Sequence, residues 1–193
     1  MGDTARTRYR ASAPRTQAMQ DWPMDALTYL LLIAGRSGVG KSSVGNEIHH
    51  QLSEREVMHG FIEGDNLDMA FPIPWEHRLA ERNLAEMWNN YRGLGHTRLV
   101  YTNTASVLHA DLLKQALGGE VNVTGVLLTA TDTSARERLA GREVGSALEL
   151  HLRRSRQRAV ELETESAVWV TRVPTDGRRV ADIAGAIITL TGW

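Results

Sequence analysis

Residues Thr28 to Ser43 read TYLLLIAGRSGVGKSS, and the reading of this stretch decides the fold. An apolar run from Thr28 to Ala34 stops at Gly35. Gly35, Gly40, Lys41 and Ser42 then fall at the spacing GxxxxGK[ST], the pattern of a phosphate-binding loop. A triphosphate needs several donors converging on it. Glycines let the backbone curl so that the N–H groups of Arg36, Ser37, Gly38, Val39, Gly40, Lys41 and Ser42 point inward. The N-terminus of the helix that follows, with Ser42 and Ser43 in its first turn, adds unpaired N–H groups and the positive end of its dipole. In this pattern Lys41 reaches the β- and γ-phosphates and the Ser42 hydroxyl ligates Mg²⁺. Val44, Ile48 and Leu52 continue at i, i+4 and i+8, a helix with one apolar stripe. An ordinary Gly-rich turn is the plainer alternative. Lysine usage argues against it: of 22 Lys plus Arg only Lys41 and Lys114 are lysines, and one of the two stands where the motif demands it.

A chain of 193 residues is most simply one domain, burying roughly 70% of its unfolded surface. That domain is expected over residues 24–193, behind a flexible tail at 1–23. The tail carries Arg6, Arg8, Arg10 and Arg15 but lacks the apolar core of a secretory signal. There are no cysteines, which excludes thiol nucleophiles, thiolate zinc sites and disulfides and fits a cytoplasmic location. A net charge of -1 gives no global electrostatic reason to expect nucleic acid or an anionic membrane as partner. The longest apolar stretch, Tyr29 to Ala34, falls far short of the ~20 residues that span a bilayer.

Strand and helix signals then alternate. The helix from Lys41 to about Arg55 is followed by a strand over Val57–Glu63, closed by Gly64-Asp65-Asn66. Asp65 thereby lies at the carboxyl end of a strand, where open α/β sheets bind ligands. A helix is expected from Pro74 to about Tyr91, with Leu79, Leu84, Met87, Trp88 and Tyr91 on one face. Arg98–Thr102 is a third strand, and a helix from about Ser106 to Leu117 turns Val107, Leu108, Leu112 and Leu113 inward. Val121–Thr129 is the fourth strand. A helix capped at Thr131, Asp132 or Thr133 and a second one from about Leu148 to Leu162 form a lid over about residues 136–160. The seven arginines between 136 and 158 are either a solvated face or a mobile cover closing over phosphate charge. Val168–Val173 is the fifth strand, Pro174 to Gly177 a turn, and Val180, Ile183, Ile187 and Leu190 mark a final amphipathic helix. The fold class is therefore α/β, three layers around a five-stranded parallel sheet with helices on both faces.

The GRSGVGKSS loop followed by Glu63-Gly64-Asp65-Asn66 resembles the P-loop small-molecule kinases, especially adenylylsulfate kinase and gluconate kinase, and more loosely shikimate, chloramphenicol and nucleoside monophosphate kinases. The resemblance implies the P-loop NTPase strand order 2-3-1-4-5, ATP and Mg²⁺ as cofactors, and an acid at Asp65 approaching the acceptor hydroxyl. It also implies that Arg138 lies against the adenine, that Arg142 contacts phosphates, and that Pro174, Thr175 and Gly177 skirt the base. The third strand ends at Thr102-Asn103-Thr104 with no Walker B aspartate, which leaves Ser42 and Asp65 as metal ligands.

The expectation is an ATP-dependent phosphotransferase acting on a hydroxyl of a small molecule, as a monomer or homodimer, with Lys41, Asp65, Arg138 and Arg142 as catalytic residues. Two other readings stay open: a nucleotide-binding regulator or slow NTPase with water as its sole acceptor, and a kinase for polynucleotide ends. The near-zero net charge weighs against the last.

Overall fold

The computed structural model describes residues 27–72, 74–141 and 146–193. The expected tail at 1–23 and Arg142 lie outside the described residues. Strand β1 (Thr28–Ala34) leads into helix α1 (Lys41–Glu54), β2 (Gly60–Glu63), α2 (Leu79–Arg92), β3 (Arg98–Thr102), α3 (Ala110–Leu117) and β4 (Val121–Thr129). Helices α4 (Asp132–Ala140) and α5 (Ser146–Glu165), strand β5 (Thr171–Pro174) and helix α6 (Val180–Thr191) complete the chain. The sheet runs β2-β3-β1-β4-β5 and every pairing is parallel, as the resemblance implies.

β1 is central because its side chains are apolar on both faces. Leu30, Leu32 and Ala34 pack with Leu84, Trp88, Leu113, Leu117 and Leu162 from α2, α3 and α5. Leu31 and Ile33 face Val44, Ile48, Leu52, Ile183 and Ile187 from α1 and α6. A strand buried on both sides reads as a continuous apolar run, and this is what marks β1 in the sequence. Residues 30 to 34 are at most 1% exposed, and each fully buried leucine or isoleucine is worth about 1.5–3 kcal/mol.

Several element limits differ from expectation, for local reasons. β2 starts at Gly60 rather than Val57, because the Val57 N–H is spent closing α1 on the Leu52 carbonyl. Pro74 opens a short 3₁₀ turn at Trp75–His77, and α2 begins only after Arg78 takes a left-handed conformation at φ 49°. A 3₁₀ turn at Ser106–His109 likewise precedes α3. β5 is displaced to Thr171–Pro174, since Val168 stands fully in solvent and the Val170 N–H bonds back to Ala167. Pro174, which has no N–H to donate, is tolerated there because β5 is an edge strand with no further neighbour on its outer side. Leu112, Met87, Val180 and Leu190 sit outside the buried arcs, each more than a third exposed; Leu117, Ala184 and Ile188 are buried instead. Among the described residues no helix is long and apolar enough to cross a membrane.

Candidate active site

Because all five strands run parallel, their carboxyl ends share one edge, and the residues just beyond each strand converge there. The strand order reverses about β1, so connections leave it in opposite directions and open a crevice at its end. The loop from Gly35 to Gly40 occupies that crevice. Gly38 and Gly40 turn it with φ 90° and 95°, values that a side chain disfavours, and Gly40 is the left-handed residue at the start of α1. The Gly35 N–H is anchored on the Thr104 carbonyl beyond β3 at 3.1 Å. The Lys41 ammonium folds over the loop and donates to the Gly35 carbonyl at 2.9 Å.

Ser42, in the first turn of α1, donates its hydroxyl proton to Glu63 Oε1. Thr102 Oγ1 approaches the same oxygen at 3.5 Å. Asp65 sits two residues further on, in a 3₁₀ turn over Gly64–Asn66, and accepts from Asn103 Nδ2 at 2.7 Å. Asn103 is itself fixed: its N–H reaches the Ile33 carbonyl, and its Oδ1 accepts from the Ala105 N–H at 3.0 Å. The structure thus brings Ser42 to Glu63 and sets Asp65 apart on Asn103. Glu63 went unread as a site residue. The signal was strand alternation: Phe61 packs on the α1 side of the sheet, so Glu63, two residues later, faces the same way. Ser42 and Glu63 form an all-oxygen donor pair of the kind that suits Mg²⁺.

On the β4–β5 side of the loop lies a cavity of about 230 Å³, bordered by Gly38, Val39, Gly40, Ser43, Arg138, Thr175 and Arg178. The Arg138 guanidinium spans its end, donating to Thr175 Oγ1 at 3.0 Å, to the Thr175 carbonyl at 3.3 Å and to the Gly38 carbonyl at 3.3 Å. Thr175 in turn holds the Thr129 carbonyl. The cavity is bordered by Thr175 and Arg178 rather than by Pro174 and Gly177; Pro174 contributes a carbonyl to Arg178 at 3.1 Å. Asp176 accepts from the Thr131 N–H at 2.9 Å, and a hydrogen bond from Ser134 is the largest cause holding its carboxyl below the ordinary range.

On the other side of the loop Ser37, Thr104, Arg154, Gln157, Arg158 and Glu161 surround a second cavity of about 270 Å³. Arg36, formally a free position of the loop motif, is 5% exposed. Its Nη1 is paired with Asp132 at the start of α4, and its Nε donates to Ser155 Oγ of α5 at 3.0 Å. Ser155 passes its own proton to the Ser37 carbonyl at 2.9 Å. The hydrogen bond from Arg36 keeps the Asp132 carboxyl low. The loop is therefore stapled to α4 and α5 by side chains as well as by its own backbone. Of the arginines in α4 and α5, Arg136 pairs with Glu149, Arg156 with Asp132 and Arg158 with Glu161.

No protein-family model matches the sequence, and no curated protein matches it. Solved structures do. The chain is similar to a gluconokinase from Sinorhizobium meliloti 1021, with 22% identity, TM-score 0.53, and 84% of this chain and 90% of that one covered. It is similar to the Deinococcus radiodurans tunicamycin resistance protein, at 20% identity, TM-score 0.60, and 86% and 96% coverage. It is also similar to the Mycobacterium tuberculosis APS kinase, solved with AMPPNP and APS, at 20% identity, TM-score 0.52, and 86% and 98% coverage. The chain has the fold of the P-loop small-molecule kinases.

Proposed function

We propose that this protein transfers the γ-phosphoryl group of ATP to a hydroxyl of a small molecule. The observation that carries the reading is the pair of cavities flanking one phosphate loop, one bordered by Arg138 and Thr175, the other by Arg154 and Arg158. A donor nucleotide in the first and an acceptor in the second would meet over the loop, the in-line arrangement that phosphoryl transfer requires. Transfer itself needs positioning and charge neutralisation more than covalent help. The loop amides and Lys41 would hold the β- and γ-phosphates, and Arg138 would close over the base. Ser42 and Glu63 would hold Mg²⁺, which when bound neutralises phosphate charge. Asp65, oriented by Asn103, would accept the proton of the attacking hydroxyl.

The acceptor cavity offers two arginines against one glutamate, and Arg158 is already paired with that glutamate. An acceptor bearing hydroxyls and one negative group fits this balance. The kinases and the resistance protein that share the fold are named for gluconate, shikimate, APS and tunicamycin, all small hydroxylated molecules. The test is transfer from γ-labelled ATP across a panel of sugar acids, nucleosides and hydroxylated antibiotics. Label should appear in one acceptor class with the wild type and be lost with Asp65→Ala while ATP binding persists. Hydrolysis to inorganic phosphate alone, across the whole panel, would favour the NTPase reading instead.

A further inference from the structure

We propose that the donor cavity takes GTP at least as readily as ATP, with Arg178 as the residue that selects for the guanine edge. The inference rests on assigning the cavity beside Arg138 and Thr175 to the nucleotide, and goes beyond it by naming the base. Adenine and guanine share the N7 acceptor. They differ at position 6, where adenine presents an amino donor and guanine a carbonyl acceptor. A site tells the two apart by the groups it leaves open towards that edge.

The acceptors around this cavity are engaged. Arg138 donates to the carbonyls of Gly38 at 3.3 Å, Val39 at 3.4 Å and Thr175 at 3.3 Å. The Thr175 carbonyl also takes the Arg178 N–H at 3.5 Å, and the Gly40 carbonyl accepts from the Val44 N–H at 2.9 Å. Thr175 Oγ1 accepts from Arg138 and donates to the Thr129 carbonyl. The acids of the adjoining turn and of α6 are turned elsewhere: Asp176 accepts from Thr131, and Asp182 gives both oxygens to Arg179. Val44, Val180 and Ile183 line the rest with hydrocarbon. An adenine amino group brought here meets donors and positive charge. What the cavity holds open is also a donor. Arg178 borders it and is exposed, and its Nη1 is bonded to the Pro174 carbonyl at 3.1 Å. Among the described residues nothing accepts from its Nε or Nη2. Ser43 adds a hydroxyl, but from the first turn of α1, beside the loop that would hold the phosphates. A guanidinium presents paired N–H groups to guanine O6 and N7, whereas adenine offers that pair only N7. The turn carrying Arg178 is itself anchored, since the Thr175 N–H is bonded to the Thr129 carbonyl at 2.9 Å.

The test reads binding to the full chain with Mg²⁺ and no acceptor, so a failure of phosphoryl transfer leaves its outcome untouched. The non-hydrolysable β,γ-imido analogues of ATP, GTP and inosine triphosphate are titrated by calorimetry. Inosine keeps O6 and N7 but lacks the 2-amino group of guanine, so it isolates the edge that Arg178 faces. The guanosine and inosine analogues should each bind at least as tightly as the adenosine analogue. Because Arg178 is exposed, its replacement leaves no void in the core. Arg178→Ala should weaken the guanosine and inosine analogues about tenfold and the adenosine analogue no more than about twofold. Arg178→Lys keeps the charge but loses the paired donors, and should recover little of that loss. Tighter binding of the adenosine analogue to the wild type, equal losses for all three in Arg178→Ala, or full recovery in Arg178→Lys would overturn the proposal. Those results leave the cavity assigned to the nucleotide, whereas binding of none of the three would overturn that assignment together with the proposal.

Discussion

Substituting Gly64 by alanine should damage both stability and turnover, and the structure sets the scale. A Cβ placed at residue 64 falls 2.2 Å from Tyr101 Oη and 2.3 Å from Tyr101 Cζ. Ordinary carbon contacts are about 3.5–4.0 Å, so the overlap exceeds an ångström. The ring cannot swing clear, because Tyr101 is 3% exposed inside the cluster beneath α2. The turn over Gly64–Asn66 must move instead. Forcing a methyl into packed surroundings costs about 1–3 kcal/mol. The direct collision with a fixed ring puts this site at about 2–3 kcal/mol, or a fall in Tm of about 4–12 °C for a chain of this size. The moving turn carries Asp65, so phosphoryl transfer should fall on the order of a hundredfold for a displacement of about 1 Å. ATP affinity should persist, since the phosphate loop is untouched. Differential scanning calorimetry, nucleotide titration and a steady-state assay read the three quantities. Tyr101→Phe removes only the oxygen and leaves the carbon overlap, so it should not rescue. Tyr101→Leu should rescue in part, giving a coupling of about 1 kcal/mol or more in the double-mutant cycle. Gly141→Ala is the control, because its nearest neighbours are at 3.8 Å. A Gly64→Ala variant with wild-type Tm and turnover would refute the steric argument.

Three further outcomes follow from the site. Arg138→Ala removes the bonds to Thr175 and Gly38 and should weaken ATP about tenfold in a fluorescence titration; the same affinity as wild type would detach Arg138 from the nucleotide cavity. Glu63→Gln should raise the Mg²⁺ concentration needed for half-maximal activity about tenfold, and Thr102→Asp in that background should recover part of it, whereas an unchanged Mg²⁺ requirement would remove Glu63 from the metal site. His59 hydrogen-bonds His49 at 2.8 Å, and burial is the largest cause lowering its ionisation below 6.5. A depressed folded value adds stability that is complete above pH 6.5 and is lost as pH falls through that value, so Tm should drop between about pH 7 and pH 5 more in wild type than in His59→Gln.

Most of the architecture was legible because its signals are strong and local. The apolar run of β1, the glycine spacing after it and the alternating strand and helix patterns fix a doubly covered parallel sheet. What sequence did not yield is side-chain direction at short or irregular elements. The exposed Leu112 and buried Leu117 of α3 show this: an eight-residue helix entered through a 3₁₀ turn has no stable period from which to read its inner face. Arg36 shows it at the site. As a free position in a motif it carries no expected partner, yet it is the residue that binds the loop to α4 and α5 through Asp132 and Ser155, which lie far along the chain.

The placement of the carboxylates follows from sheet geometry. β3 lies between β1 and β2, and an acid at its end would stand one strand, about 4.8 Å, from the strand that carries the loop. Thr102 fills that position here, paired in register with Ile33 on one side and Glu63 on the other. The acid has moved outward by one strand. A glutamate has the extra methylene needed to reach back over Thr102 to Ser42, and the threonine hydroxyl, at 3.5 Å, lies under that reach. Aspartate at residue 63 would fall short. The displacement also leaves Asp65 uncommitted to the Ser42 side of the site. Held by Asn103 instead, on the proposed reading it would face an acceptor while Glu63 would hold the metal, which would set two carboxylates two residues apart to separate tasks at the end of a single strand.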